Sequence, residues 1–62
     1  MITKYNLEDV VETKDFKGVI SMITITRKGV RYRAYGERTY SSGCVVPNSQ
    51  DDFMEDEIIR KL

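Results

Sequence analysis

Hydrophobic and polar residues alternate through the middle of the chain, which is typical of β-strands with one buried face. The segment Val19 to Thr26 is rich in β-branched residues, and the segment Val30 to Tyr35 alternates apolar residues with charged or aromatic ones. Between them, Lys28 and Gly29 form a turn signal, because glycine readily adopts the positive φ of tight hairpins. The pattern therefore predicts an antiparallel hairpin with a two-residue turn.

The length of this turn decides which side chains share a face of the hairpin. A three-residue turn would bury the guanidinium groups of Arg31 and Arg33 without visible carboxylate partners, which is unfavourable. Since a one-residue shift exchanges the two faces, we predict the two-residue turn at Lys28 and Gly29. The predicted inward set is Val19, Ile23, Ile25, Val30, Tyr32 and Ala34, and the predicted outward set is Met22, Thr24, Thr26, Arg31, Arg33 and Tyr35.

The C-terminal segment has a different spacing, which is typical of an amphipathic helix. Met54, Ile58 and Leu62 recur every four residues, as the buried stripe of a helix does. Ser49 is a favourable N-cap, acidic residues follow it, and basic residues end the segment. These signals predict a helix over about 50–62.

The flanking regions complete the predicted fold. Val10 to Phe16 predicts a first strand, although Asn6 to Val11 also reads as a capped helical turn. Cys44 to Val46 predicts a short strand that ends at Pro47, with Cys44 buried. The predicted fold class is α+β: a small three- to four-stranded antiparallel β-sheet (meander) over about 10–46, with a C-terminal α-helix packed on one face, in a single domain of residues 1–62.

Length and composition limit the class of protein. A chain of 62 residues buries only about 60% of its unfolded surface, so its core is thin and a homodimer would add stability. Its one cysteine cannot form an internal disulfide, and no apolar run approaches the roughly 18 residues of a membrane helix. We therefore expect a cytoplasmic protein without membrane association, in the host cytoplasm if a phage encodes it.

The residues that usually carry catalysis are missing from the sequence. Histidine is absent, which removes the commonest general base and the commonest transition-metal ligand. Zinc needs several thiolates or imidazoles, and the glycines match no phosphate-binding pattern. On the predicted helix, Asp52, Glu55 and Asp56 are expected to form a secondary acidic surface in water rather than a metal site. We expect no enzymatic activity, no cofactor and no metal.

Charged residues are separated along a chain whose formal net charge is zero. Positions 27–40 are basic and carry three tyrosines, while positions 51–57 hold five acidic residues and no basic one. Two local potentials of opposite sign favour binding to another macromolecule. Arg60 and Lys61 each follow an acidic residue at spacing four, so the predicted helix would neutralise part of its own charge.

The outward residues of the hairpin are the candidate binding site. Arg and Tyr are enriched in the hot spots of protein interfaces, but they also contact phosphates and stack on unpaired bases. They can equally keep an exposed sheet face in water. Neutral net charge favours a protein partner over nucleic acid. The predicted partner-binding residues are Arg31, Arg33, Tyr35, Lys28, Thr24 and Thr26.

A three-stranded antiparallel sheet followed by a helix resembles, in architecture, the small arm-binding domains at the N-termini of phage-type integrases. The resemblance covers residues 16–62 and depends on the strand alternation and a tyrosine-bearing strand, without a specific motif. It implies that the sheet face at Arg31, Arg33 and Tyr35 corresponds to the face of that family's sheet. The acidic start of the predicted helix departs from the family.

The functional expectation is a small non-catalytic binding protein that modulates or inhibits a partner protein through this charged sheet face. Accessory proteins of phages and mobile elements are of this kind. The first alternative is a nucleic-acid-binding module that uses the basic hairpin at 27–38. The second is a self-associating structural protein, because an edge strand could pair across a two-fold axis.

Overall fold

The computed structural model describes residues 3–62, which form an antiparallel sheet of five strands. The strands are β1 (Val10–Glu12), β2 (Phe16–Thr26), β3 (Gly29–Thr39), β4 (Val45–Met54) and β5 (Arg60–Lys61). Their order across the sheet is β4-β3-β2-β1-β5, and a 3₁₀ turn, Glu55–Glu57, lies between β4 and β5. The antiparallel meander is confirmed, and β5 extends it by pairing with the free edge of β1.

The sheet is strongly curved, because its two edge strands are joined by a short connection. From Met54 at the end of β4 to Arg60 at the start of β5, the chain reaches at most about 21 Å when fully extended. In a flat sheet, the four strand spacings between these edges alone would need about 19 Å. Because the three residues of the 3₁₀ turn rise only about 2 Å each, the connection spans at most about 17 Å, which is less than a flat sheet needs. The sheet therefore curls around its apolar face, which becomes the core.

The predicted C-terminal helix is wrong, and so is the α+β fold class: residues 3–62 contain no α-helix. Residues 45–54 pair with β3 as strand β4. Of the predicted stripe, Met54 is half-buried at the end of β4, Ile58 is buried after the 3₁₀ turn, and Leu62 is exposed after β5. The spacing of four thus does not correspond to one continuous helical face. The resemblance to integrase arm-binding domains, which needed the helix, loses its architectural basis.

The basic residues assigned to that helix form cross-strand ion pairs instead. Arg60 contacts Glu12 on β1, with 2.8 Å between Nε and Oε1. Lys61 contacts Asp9, with 3.5 Å between Nζ and Oδ1. Both partners lie about 50 positions away in the sequence, so the acidic residues four positions before each basic residue are not their partners.

The β2–β3 turn lies one residue earlier than predicted. Thr26 pairs with Gly29, which leaves Arg27 and Lys28 as the turn residues. The Thr26 hydroxyl donates to the Gly29 carbonyl at 2.9 Å and accepts from the Lys28 N–H at 3.2 Å. This shift moves the pairing by two positions, so the residues near the turn keep their predicted faces. Ile25, however, was predicted to face the core and is 54% exposed.

A β-bulge at Ser21 changes the alternation along β2. Ser21 has no partner on β3 between the paired residues on either side of it. Before the bulge Ile20 is buried and Val19 is exposed. The prediction that Val19 faces inward is therefore wrong. The extra residue at Ser21 reverses the faces of the residues before it. The hydrophobic pattern did not indicate this bulge.

Strand β4 continues past Pro47, where we predicted that it would end. Pro47 lies on an edge strand, where its missing N–H costs no ladder hydrogen bond. It also forms a bulge: Pro47 and Asn48, whose φ is 55°, together lie opposite the single residue Glu37. Cys44 precedes the strand and is exposed, so its predicted burial is also wrong.

The core is closed at both ends by aromatic and charged side chains. At one end the N-terminal segment places Tyr5 edge-on against Tyr32, with ring centroids 5.8 Å apart. At the other end the Arg38 guanidinium lies 5.7 Å from the centre of the Phe16 ring and contacts Asp51 at 2.7 Å. The buried apolar residues are Tyr5, Val11, Phe16, Ile20, Val30, Tyr32, Ala34, Phe53 and Ile58.

The predicted domain includes residues 1 and 2, which lie outside the described residues. Within residues 3–62 there is no helix of the length and apolar character that a membrane crossing requires.

Candidate protein-binding surface

An apolar row of side chains crosses the outer face of the sheet. Val10 pairs with Val19, and Val19 pairs with Tyr35, so the three side chains lie side by side on neighbouring strands. Leu62 donates its backbone N–H to the Val10 carbonyl at 2.7 Å, which extends the row past β1. The exposed fractions are 42% for Val19, 52% for Tyr35 and 49% for Leu62. We call Leu62, Val10, Val19 and Tyr35 the apolar row.

Next to the apolar row lies an ion pair with a defined geometry. Arg33 on β3 pairs in register with Met22 and Asp52. Its guanidinium donates two hydrogen bonds to the Asp52 carboxylate, from Nε to Oδ1 at 3.0 Å and from Nη2 to Oδ2 at 3.3 Å. These bonds lower the pKa of Asp52 and raise that of Arg33. A bidentate pair fixes both side chains, although its exposure limits its contribution to stability.

Arg31 is a free cation on the same face. It lies beside Thr24 on β2 and Met54 on β4. In the described part of the chain, none of the carboxylate oxygens lies within 4.0 Å of its guanidinium. Arg31 can therefore pair with a carboxylate of a partner, whereas Arg33 already has one.

The structure brings most of the predicted partner-binding residues together. Thr24, Arg31, Arg33 and Tyr35 share the outer face, and Lys28 lies in the adjoining turn. The sixth, Thr26, uses its hydroxyl within that turn. Its hydrogen-bonding capacity serves the hairpin.

Sequence reasoning missed three members of the apolar row, which are Val10, Val19 and Leu62. Val19 had been assigned to the core, and Leu62 to the helix stripe. One signal was available: Val10 and Val11 are neighbours in a predicted strand, so one of them must face outward. Val11 is fully buried, and Val10 takes the outer face.

The predicted acidic surface is divided among three surroundings. Asp52 is paired on the outer face, and Asp56 is exposed on the 3₁₀ turn. Glu55 faces the core end, where its Oε2 accepts the Tyr32 hydroxyl at 2.6 Å and the Lys4 N–H at 3.1 Å. These three carboxylates therefore do not act as one surface.

The contact between Tyr32 and Glu55 ties the 3₁₀ turn to the core. Burial, followed by the hydrogen bond to Glu55, raises the pKa of Tyr32 to about 12. The same hydrogen bond lowers the pKa of Glu55. The Tyr32 oxygen also accepts the Tyr5 N–H at 3.3 Å. This network fixes both the N-terminal segment and the turn.

Among residues 3–62, no three His, Cys, Asp or Glu side chains are grouped so that they could hold a metal ion. No protein-family model, curated protein or solved structure matches the chain significantly.

Proposed function

We propose that this chain is a small non-catalytic protein that binds a partner protein through the outer face of its sheet. The observation that carries the proposal is the apolar row beside Arg31 and Arg33. Exposed apolar residues scattered singly are ordinary, but contiguous ones mark interaction surfaces. Tyrosine and arginine next to them are the residue types of interface hot spots.

The parts of this face have different roles in the proposed contact. The apolar row supplies the area that loses water, with Tyr35 as its largest side chain. The Arg33–Asp52 pair is already ordered, so binding costs little of its side-chain entropy. Arg31 supplies a charge that orients the partner. A partner with an apolar patch flanked by a carboxylate fits this arrangement. The chain would modulate its partner by covering such a patch.

Tyr35→Ser is expected to reduce partner binding by about 30-fold or more, because loss of a hot-spot side chain costs about 2 kcal/mol or more. Tyr40→Ser is the matched control: both tyrosines are 52% exposed, but Tyr40 lies outside the apolar row. Each variant, immobilised, would capture proteins from a lysate of the source organism with and without nuclease, with quantification by mass spectrometry. Circular dichroism checks that both variants are folded.

Three results would argue against the proposal. Equal capture by Tyr35→Ser and Tyr40→Ser would remove the outer face as the site. Capture that nuclease abolishes would favour the nucleic-acid alternative. Sedimentation showing a dimer that Tyr35→Ser dissociates, with no protein captured, would favour self-association.

A further inference from the structure

A groove adjoins the outer face at Arg31, between the β2–β3 turn and the 3₁₀ turn. Lys28 and Gly29 form one wall, and Glu55 and Asp56 form the other. The residues along the groove are Lys4, Lys28, Gly29, Val30, Arg31, Met54, Glu55 and Asp56.

Two apolar residues, Val30 and Met54, line the groove. Val30 is a core residue and is only 7% exposed, whereas Met54 is half-buried. An apolar side chain of a ligand could therefore contact Met54.

Three cations line the groove without carboxylate partners. Across residues 3–62, no carboxylate oxygen comes within 4.0 Å of the side-chain nitrogens of Lys4, Lys28 or Arg31. Lys4 lies over the Tyr5 ring, 5.7 Å from its centre. Of the two acidic residues, Glu55 already accepts two hydrogen bonds. The three cations thus outnumber the two acidic residues of the groove, Glu55 and Asp56.

The second wall of the groove is held in place by the core. Glu55 is bonded to the buried Tyr32 hydroxyl and to the Lys4 N–H. A preformed groove loses little entropy when a ligand binds. Asp56, exposed on this wall, opposes a ligand that is negative along its whole width, as a phosphate backbone is.

We propose that this groove binds an acidic, extended segment of a partner protein. One apolar side chain of the segment contacts Met54, and its carboxylates pair with Lys28 and Arg31. The inference rests on the proposed function, because it assigns to the same partner a segment that continues from the outer face into the groove. Charge complementarity identifies the segment as acidic.

The test is a selection from a phage-displayed library of random peptides, with the intact chain immobilised. Enriched peptides are expected to be acidic and to contain an apolar residue. The most enriched peptide, labelled with fluorescein, would then be titrated with the chain by anisotropy. Lys28→Glu/Arg31→Glu is expected to weaken its binding about tenfold or more, and Asp56→Asn to tighten it about two- to threefold.

Arg27→Glu is the matched control, because Arg27 neighbours Lys28 in the turn but does not line the groove. Enrichment of basic or neutral peptides, or no enrichment, would overturn the inference. So would equal effects of Arg27→Glu and of the double variant, or tighter binding of an oligothymidine than of the peptide.

Tyr35→Ser separates this inference from the proposed function, since Tyr35 lies outside the groove. If Tyr35→Ser loses the partner protein while no acidic peptide binds, the groove inference alone fails. If an acidic peptide binds through Lys28 and Arg31 while partner capture is insensitive to Tyr35, the outer-face proposal alone fails.

Discussion

Gly36→Ala is expected to destabilise the chain severely. Gly36 pairs with Gly18 on β2, so two residues without side chains face each other across the strands. A β-carbon at Gly36 would overlap the Lys17 carbonyl and the Gly18 α-carbon. These are backbone atoms, and no rotamer change can move them away. A domain of this length has about 3–9 kcal/mol of stability, and we expect the clash to remove more than about 3 kcal/mol.

Urea unfolding followed by circular dichroism measures this loss. Gly43→Ala is the control: Gly43 has a positive φ of 90°, but nothing lies within 4 Å of a β-carbon there. Alanine at Gly43 should cost only the backbone strain, about 1–2 kcal/mol. A Gly36→Ala protein as stable as Gly43→Ala would show that β2 and β3 do not approach so closely.

The close approach at Gly18 and Gly36 belongs to the part of the fold that sequence patterns did not predict. Alternation predicted the β2–β3 hairpin and the inward side of Tyr32, because apolar residues there face the core and polar residues face the solvent. The bulges at Ser21 and at Pro47 with Asn48 bend their strands and add to the curvature that the short connection between β4 and β5 imposes. A bulge changes the register but has no recognisable residue pattern, so the sequence did not indicate it.

The helix prediction failed because local and tertiary preferences disagree in the C-terminal segment. Its acidic start and basic end match a helix dipole. In the fold, however, Asp51 contacts Arg38 and Asp52 contacts Arg33, both on the neighbouring strand. Long-range pairing thus overrides helix propensity, as is common for short segments.

The candidate surface was predictable only where it depended on the hairpin alone. Arg31, Arg33 and Tyr35 share a face because they alternate on one strand. Val10 joins them because β1 pairs with β2, and Leu62 joins because β5 pairs with β1. The outward side of Val19 depends on the bulge at Ser21, and the pairing of β5 depends on the curvature. The complete apolar row therefore could not be predicted from the sequence.

Tyr32→Phe is expected to lower the free energy of unfolding by about 1–3 kcal/mol, although it removes a single oxygen atom. The hydroxyl donates to Glu55 at 2.6 Å and accepts the buried Tyr5 N–H at 3.3 Å. Without it, that N–H loses its acceptor inside the protein. Tyr40→Phe, which alters an exposed residue, is the control and should change stability by less than about 0.5 kcal/mol.

The difference between the wild-type chain and Tyr32→Phe should also depend on pH. The pKa of Tyr32 is raised from 10.0 to about 12, so the stability linked to its proton is complete below pH 10 and declines as the pH rises towards 12. The pKa of Glu55 is lowered, chiefly by the Tyr32 hydrogen bond. Its contribution is therefore present above the ordinary glutamate pKa and is lost as the pH falls through its lowered value.

Phenylalanine removes the first effect and part of the second, since it has no proton to lose and gives Glu55 no hydrogen bond, while the Lys4 N–H still donates to Glu55. Urea unfolding at a series of pH values should thus show the largest difference between the two proteins around neutrality, with a smaller one at either extreme. A constant difference at all pH values would mean that Tyr32 and Glu55 do not share a proton-dependent contact. The 3₁₀ turn that forms one wall of the groove would then be held by packing alone.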